Sequence, residues 1–152
     1  MLKEGKTAPA FKTTDAEGNI VKLSDFRGQK VVLYFYPKDD TPGCTKEACS
    51  FRDAFTDFKK HKIKVLGIST DDETSHQKFA KKYKLPFTLL TDTDHSISDA
   101  YGTYGQKKFM GRTYMGVHRK TFLIDEKGKI KKIFEKVSPE EHACEVLAAF
   151  GE

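Results

Sequence analysis

A chain of 152 residues, 38% hydrophobic and 32% charged, reads as one globular domain over 1–152 with enough apolar content for a core. No apolar run approaches a membrane span, and the opening MLKEGKTAPAF has no continuous apolar segment of a secretory signal, so a cytoplasmic location without a membrane is the default expectation. Three cysteines are too few for a secreted disulfide scaffold. The net charge of +5 carries only four arginines, and the lysines are mixed with acids, as in TDFKKHKIK and DEKGKIKK. That mixture reads as a solvated surface; no zinc-finger spacing, aromatic-basic signature or basic-region helix supports nucleic-acid binding.

The elements follow in chain order. FKTTDAEGNIVKLSDF reads as a small hairpin turning at EGN, then a short helical turn. KVVLYFYP, Lys30 to Pro37, is apolar nearly throughout, the pattern of a strand buried on both faces of a sheet. CTKEACSFRDAFTDFKKH places Ala48, Phe51, Phe55 and Phe58 at helical steps. KVLGIST, Lys64 to Thr70, is a second buried strand, so strand, helix and strand form a right-handed crossover. DDETSHQKFAKKYK reads as a helix ending before LPF, and PFTLLTD as a short strand. TFLIDEKGKIKKIFE is a hairpin of Thr121 to Ile124 and Ile130 to Phe134. The tail SPEEHACEVLAAF reads as a helix with Ser138 as N-cap, Pro139 first and Glu141 closing a capping box. The fold class is α/β, a central mixed β-sheet with helices on both faces and an N-terminal β-hairpin.

Two thiols in YPKDDTPGCTKEACSF demand a reading: metal, disulfide or redox catalysis. Cys44 lies where a strand ends and a helix begins. The free N–H groups of a helix N-terminus favour negative charge, so a thiol there is pushed toward the nucleophilic thiolate. Gly43 would let backbone approach a bound substrate. The Pro-Gly turn and the polar Thr41 and Thr45 argue that Cys44 is not a buried, inert thiol. Cys49 follows five residues later; on an intact helix the two Cα atoms lie ~8.7 Å apart. A disulfide needs roughly 4.4–6.8 Å, so a Cys44–Cys49 bond requires at least a turn to unwind. In the thiol form the helix should run unbroken from about Gly43. A C-x4-C pair with His142 and Cys144 as the only other close pair is a poor zinc pattern, and no metal or cofactor is expected. Cys144 itself reads as a small core or boundary residue of the last helix.

YPKDDTPGCTKEAC resembles the active-site segment of the peroxiredoxins, in which P-x-x-x-T-x-x-C surrounds the peroxide-reactive cysteine; here it is Pro37, Thr41 and Cys44. The second cysteine five residues on resembles the Q subfamily, the bacterioferritin comigratory proteins. KEGKTAPAF, LSDFRGQKVVLYFYPK, VLGISTD, FTLLTD, GVHRKTFLID and DEKGKI extend the likeness in the family's order over essentially the whole chain. The resemblance implies a thioredoxin-like fold and a thiol peroxidase acting on hydrogen peroxide and alkyl hydroperoxides. Cys44 would be the peroxidatic nucleophile and Cys49 the resolving cysteine, with thioredoxin or a similar dithiol as reductant. Thr41 would orient the peroxide, and Arg119 would stabilise the thiolate and the peroxide's developing charge. Glu47 would pair with that arginine and Pro37 would shape the pocket. An intramolecular resolving cysteine removes any chemical need for a second chain, so a monomer is expected. Read locally, Arg119 is only a strand-edge surface residue, Glu47 a favourable first-turn acid, Thr41 a turn threonine and Pro37 a strand-ending proline. A redox sensor or holdase using the same cysteine switch is the competing class.

Overall fold

The computed structural model describes residues 2–150, Phe109 by its backbone alone. Five strands form the central sheet in the order β5-β4-β3-β8-β9: β3 (Lys30–Phe35), β4 (Ile63–Ser69), β5 (Thr88–Thr91), β8 (Lys120–Ile124) and β9 (Ile130–Phe134). β3, β4 and β5 run parallel, while β8 and β9 are antiparallel additions, so the sheet is mixed as the pattern implied. β1 (Lys12–Thr14) and β2 (Ile20–Lys22) form the N-terminal hairpin, followed by a 3₁₀ turn over Leu23–Phe26.

Alternation along β3 explains its apolar run. Val32 and Tyr34 face one core with Phe51, Phe58 and Val146; Val31, Leu33 and Phe35 face another with Ile97, Tyr101 and Val117. The first core lies under α1 (Pro42–Asp53), α2 (Phe55–Lys60), α3 (Glu73–Tyr83) and α5 (His142–Ala149). The second lies under the N-terminal segment and α4 (Ser96–Ala100). A strand covered on both faces needs no polar face, hence KVVLYF. Gly67 on β4 is dictated by its neighbour: a Cβ there would stand 2.8 Å from the Tyr34 ring and hydroxyl.

Four local expectations are corrected. The long helix after Cys44 breaks at Ala54 into α1 and α2, though neither glycine nor proline marks the break. The break re-aims the last turns onto β4, against which α2 packs. The tail helix starts at His142 rather than at Pro139. Ser138 to Glu141 form a turn instead, and one first-turn amide is served from afar: Ser50 Oγ of α1 accepts from Ala143 N–H at 3.1 Å. That tertiary bond replaces the local capping box. Cys144 is exposed, not a core residue. Two elements carried no sequence expectation: α4 and a separate hairpin of β6 (Tyr104–Phe109) and β7 (Arg112–Val117). That hairpin turns at Met110 and Gly111, both with positive φ, the two-residue turn whose twist suits paired strands.

Candidate active site

The β3 ladder ends at Tyr36, whose N–H donates to the Ile68 carbonyl at 3.1 Å. Pro37 follows directly, where a missing N–H costs no sheet bond. The chain then turns through Asp40, in the left-handed region at φ 58, to Thr41, the N-cap of α1. The Thr41 hydroxyl does not cap the helix. It donates to the Lys38 carbonyl at 2.9 Å, which leaves its oxygen lone pairs for another donor.

Cys44 is the third residue of α1. It is 1% exposed, so the expectation of an unburied thiol is corrected. Burial does not make it inert, because Arg119 reaches it. Arg119 sits between β7 and β8, not on a strand edge; its Nη2 donates to Cys44 Sγ at 3.2 Å and its Nη1 to Glu47 Oε1 at 2.6 Å. Gly43 serves this approach: a Cβ there would lie 3.1 Å from Arg119 Nη2. The glycine accommodates the guanidinium, a role that the spacing alone did not suggest.

Glu47 is fully buried one turn after Cys44, and only Oε1 is paired; Oε2 has no hydrogen-bond partner among the described residues. Burial pushes its carboxyl up to about 7, and the Arg119 charge and hydrogen bond offset only part of that rise. The site thus holds a guanidinium shared between a thiol and a carboxyl that titrates near neutrality. Cys49 is half-buried on the same helix, and both thiols are free. α1 runs unbroken across them, as expected for the thiol form.

Pro37 and Thr41 open on a cleft of about 520 Å³, also lined by His95, Tyr104, Lys107, Tyr114 and Met115. The structure joins Cys44, Glu47 and Arg119 through the guanidinium, sets Pro37 and Thr41 on the cleft at the start of the same helix, and leaves Cys49 further along it. His118, next to Arg119 in sequence, turns its ring to the Gln106 carbonyl at 3.2 Å and takes no part at the thiol. Sequence reasoning missed the far wall of the cleft. Lys107 donates to the Val117 carbonyl at 2.9 Å, and its ammonium is lowered first by burial and then by the Arg119 charge, with Cys44 opposing. The local signal for it is Gly111, a turn residue between the strand-length runs YGQKKF and RTYMGV of the hairpin that carries Lys107.

Residues 5–133 match the AhpC/TSA family. The chain is 49% identical to peroxiredoxin Bcp of Escherichia coli (strain K12) over 96% of this chain and 94% of that one. It is 45% identical to peroxiredoxin Bcp of Bacillus subtilis (strain 168) over 96% and 93%. Among solved structures it resembles the bacterioferritin comigratory protein of Xanthomonas campestris, a protein with alkyl peroxide reduction activity. The TM-score is 0.91 at 32% identity, covering 99% of this chain and 98% of that one. No helix among the described residues is long and apolar enough to cross a membrane. The mixed sheet, the strand-end cysteine and these relatives agree: the chain belongs to the AhpC/TSA family, as a thioredoxin-fold peroxiredoxin of the Bcp or Q type, a thiol peroxidase.

Proposed function

We propose that this peroxidase works as a two-cysteine enzyme in the cytoplasm, with Cys44 peroxidatic, Cys49 resolving and thioredoxin or a similar dithiol as reductant. The observation that carries the reading is Arg119 Nη2 at 3.2 Å from Cys44 Sγ. A guanidinium at that distance favours sulfur as thiolate, the form that attacks. Peroxide enters beside Pro37 and Thr41, and the Thr41 oxygen accepts a hydrogen bond from the peroxide O–H, aligning the O–O bond with sulfur. The thiolate attacks the near oxygen; an S–O bond forms and the O–O bond breaks. The far oxygen leaves with the bonding pair as alkoxide or hydroxide and takes a proton, while Arg119 stabilises the charge that develops on it. Sulfur is oxidised by two electrons to sulfenic acid, and the peroxide is reduced by two.

Resolution requires movement. Cys49 must displace the sulfenic hydroxyl of Cys44, releasing water and forming the disulfide, and an intact α1 holds the two too far apart. The first turns of α1 therefore unwind at this step. An incoming dithiol then exchanges with the disulfide and restores both thiols. Alkyl hydroperoxides are proposed beside hydrogen peroxide because the Xanthomonas relative reduces alkyl peroxides and because Tyr104, Tyr114 and Met115 give the cleft apolar walls. The resolving thiol lies in the same chain, which suits a monomer. The test is steady-state peroxide consumption with a thioredoxin system. Wild type should turn over many equivalents per chain, and Cys49→Ser should lose thioredoxin-supported turnover while still consuming one equivalent. Full turnover by Cys49→Ser would overturn the resolving role.

A further inference from the structure

A buried polar cluster lies behind the loop that carries Thr41. His76 of α3 is fully buried and Asp39 is 7% exposed. Asp39 Oδ1 accepts from the Tyr36 hydroxyl at 2.5 Å, and Oδ2 accepts from Ser75 Oγ at 2.8 Å. The second contact of Oδ2 is His76 Nδ1 at 2.7 Å, while His76 Nε2 faces the Leu90 carbonyl of β5 at 2.8 Å. A carbonyl only accepts, so Nε2 carries a proton. Nδ1 points at a carboxylate that already accepts from two hydroxyls, so it carries the other, and the pair is an imidazolium–carboxylate.

This cluster bears on Thr41 through one peptide plane. The Asp39 N–H donates to Asp71 Oδ2 at 2.8 Å, and Asp71 Oδ2 is itself held by Ser69 Oγ at 2.7 Å. The carbonyl across the same peptide bond, that of Lys38, accepts the Thr41 hydroxyl at 2.9 Å. A peptide unit is planar, so whatever fixes its N–H fixes its C=O. We propose that Asp39, His76 and Asp71 are positioning residues for peroxide reduction: together they hold the Lys38–Asp39 peptide, and that peptide sets the direction of the Thr41 hydroxyl. The proposal rests on the reading of Thr41 given above.

The charge on His76 makes the positioning pH-dependent. Burial lowers its pKa, but the Asp39 hydrogen bond and charge, the Leu90 carbonyl and the Asp71 charge outweigh burial and raise it above the usual imidazole value. The charged groups facing it are both acids, Asp39 from the loop and Asp71 from the turn after β4; Tyr36 from the end of β3 supplies a neutral ring, 6.4 Å away between centroids. At the start of α3, the N-cap Asp72 accepts from the Ser75 N–H, and Glu73 accepts from the Thr14 hydroxyl. Loss of the Nδ1 proton would turn a bond into two opposed lone pairs and loosen Asp39.

The experiment compares two reactions of Cys44 in the full chain, oxidation by hydrogen peroxide and alkylation by iodoacetamide, each followed by peptide mapping. Alkylation needs the thiolate but no oriented peroxide. Thr41→Val should slow oxidation and spare alkylation. His76→Gln should slow oxidation about tenfold at pH 7, with alkylation unchanged within about twofold. The double variant should be no slower than Thr41→Val alone. The ratio of wild-type to His76→Gln oxidation rates should fall toward one as pH rises past the His76 titration, which a merely structural role would not produce. Asp71→Ala, at a half-buried position, removes the acceptor of the Asp39 N–H, should show the same oxidation-only loss and serves if His76→Gln does not fold. A slow Thr41→Val beside a His76→Gln or Asp71→Ala at the wild-type rate would overturn the proposal. So would additive losses in the double variant. A wild-type rate in Thr41→Val would instead overturn the Thr41 reading, and the proposal with it.

Discussion

Two buried polar clusters flank the loop Pro37–Thr41, and they are built on opposite principles. In the Asp39–His76 cluster both carboxylate oxygens and both ring nitrogens have partners. In the Cys44–Glu47–Arg119 cluster one carboxylate oxygen has no hydrogen-bond partner among the described residues, and the carboxyl is pushed up to about 7 by burial. A fully satisfied buried network rigidifies its surroundings, whereas a buried polar atom left unpaired carries a desolvation cost that opening to water relieves. The difference matches the chemistry proposed for each side. The upstream side must hold Thr41 still, while the downstream side must release Cys44 toward Cys49. A third cluster, Asp40 with Lys82 and Tyr83, also ties the loop to α3, but it is exposed to solvent and screened.

The comparison can be broken in order of effect. The largest change is expected from Arg119→Met, which should slow Cys44 oxidation by about 10²–10³-fold, measured by quenched thiol mapping, because both the thiolate and the leaving oxygen lose their cation. Next, Asp39→Asn should cost about 3 kcal/mol in urea unfolding, since His76 is left buried without its carboxylate. Glu47→Gln should cost less than about 1 kcal/mol at pH 7, because the amide keeps the acceptor for Arg119 and removes a carboxylate that burial already disfavours. The chain has no tryptophan, so far-UV circular dichroism is the probe. Equal losses in Asp39→Asn and Glu47→Gln would erase the distinction drawn between the clusters.

Stability against pH separates the two further. The Glu47 carboxyl is raised from 4.5 to about 7 on folding. Its contribution is fully present below about pH 4.5 and is lost as pH rises through 7, a swing of roughly 3 kcal/mol at most. His76 is also raised, so its contribution is present below the ordinary imidazole value and is lost as pH rises through the higher folded one. Both losses run in the alkaline direction but in adjoining windows. Glu47→Gln should flatten the lower window and leave the upper; a His76 variant should do the reverse. The smallest effect is expected from Lys82→Ala, with thermal unfolding unchanged, because its pair with Asp40 is exposed.

Much of this was legible in the residues. KVVLYF, the helical spacing after Cys44, the DEKGK turn and the N-terminal EGN turn gave the sheet, its flanking helices and both of those hairpins, because each element carries its own periodicity. The meeting of Arg119 with Cys44 was implied by the likeness of the P-x-x-x-T-x-x-C segment and GVHRKTF to the family, not by any local pattern. What escaped was set by partners distant in sequence. The start of α5 depends on Ser50, the break at Ala54 on packing against β4, and the burial of Cys44 on helices closing over the strand end. The β6–β7 hairpin stands outside the central sheet, so its strands lack the apolar run that betrays buried ones. His76 drew no expectation of its own within the DDETSHQKFAKKYK helix; nothing local marks a histidine whose two nitrogens are taken by residues 37 positions before and 14 after it.

The most direct measurement is a thiol count with peptide mapping before and after one equivalent of hydrogen peroxide. Loss of two thiols, with a Cys44–Cys49 crosslink that disappears in Cys44→Ser, is the expected result and requires α1 to open between them. Loss of the Cys44 thiol alone, with Cys49 still free, would contradict the two-cysteine cycle and leave a peroxidase resolved by an external thiol.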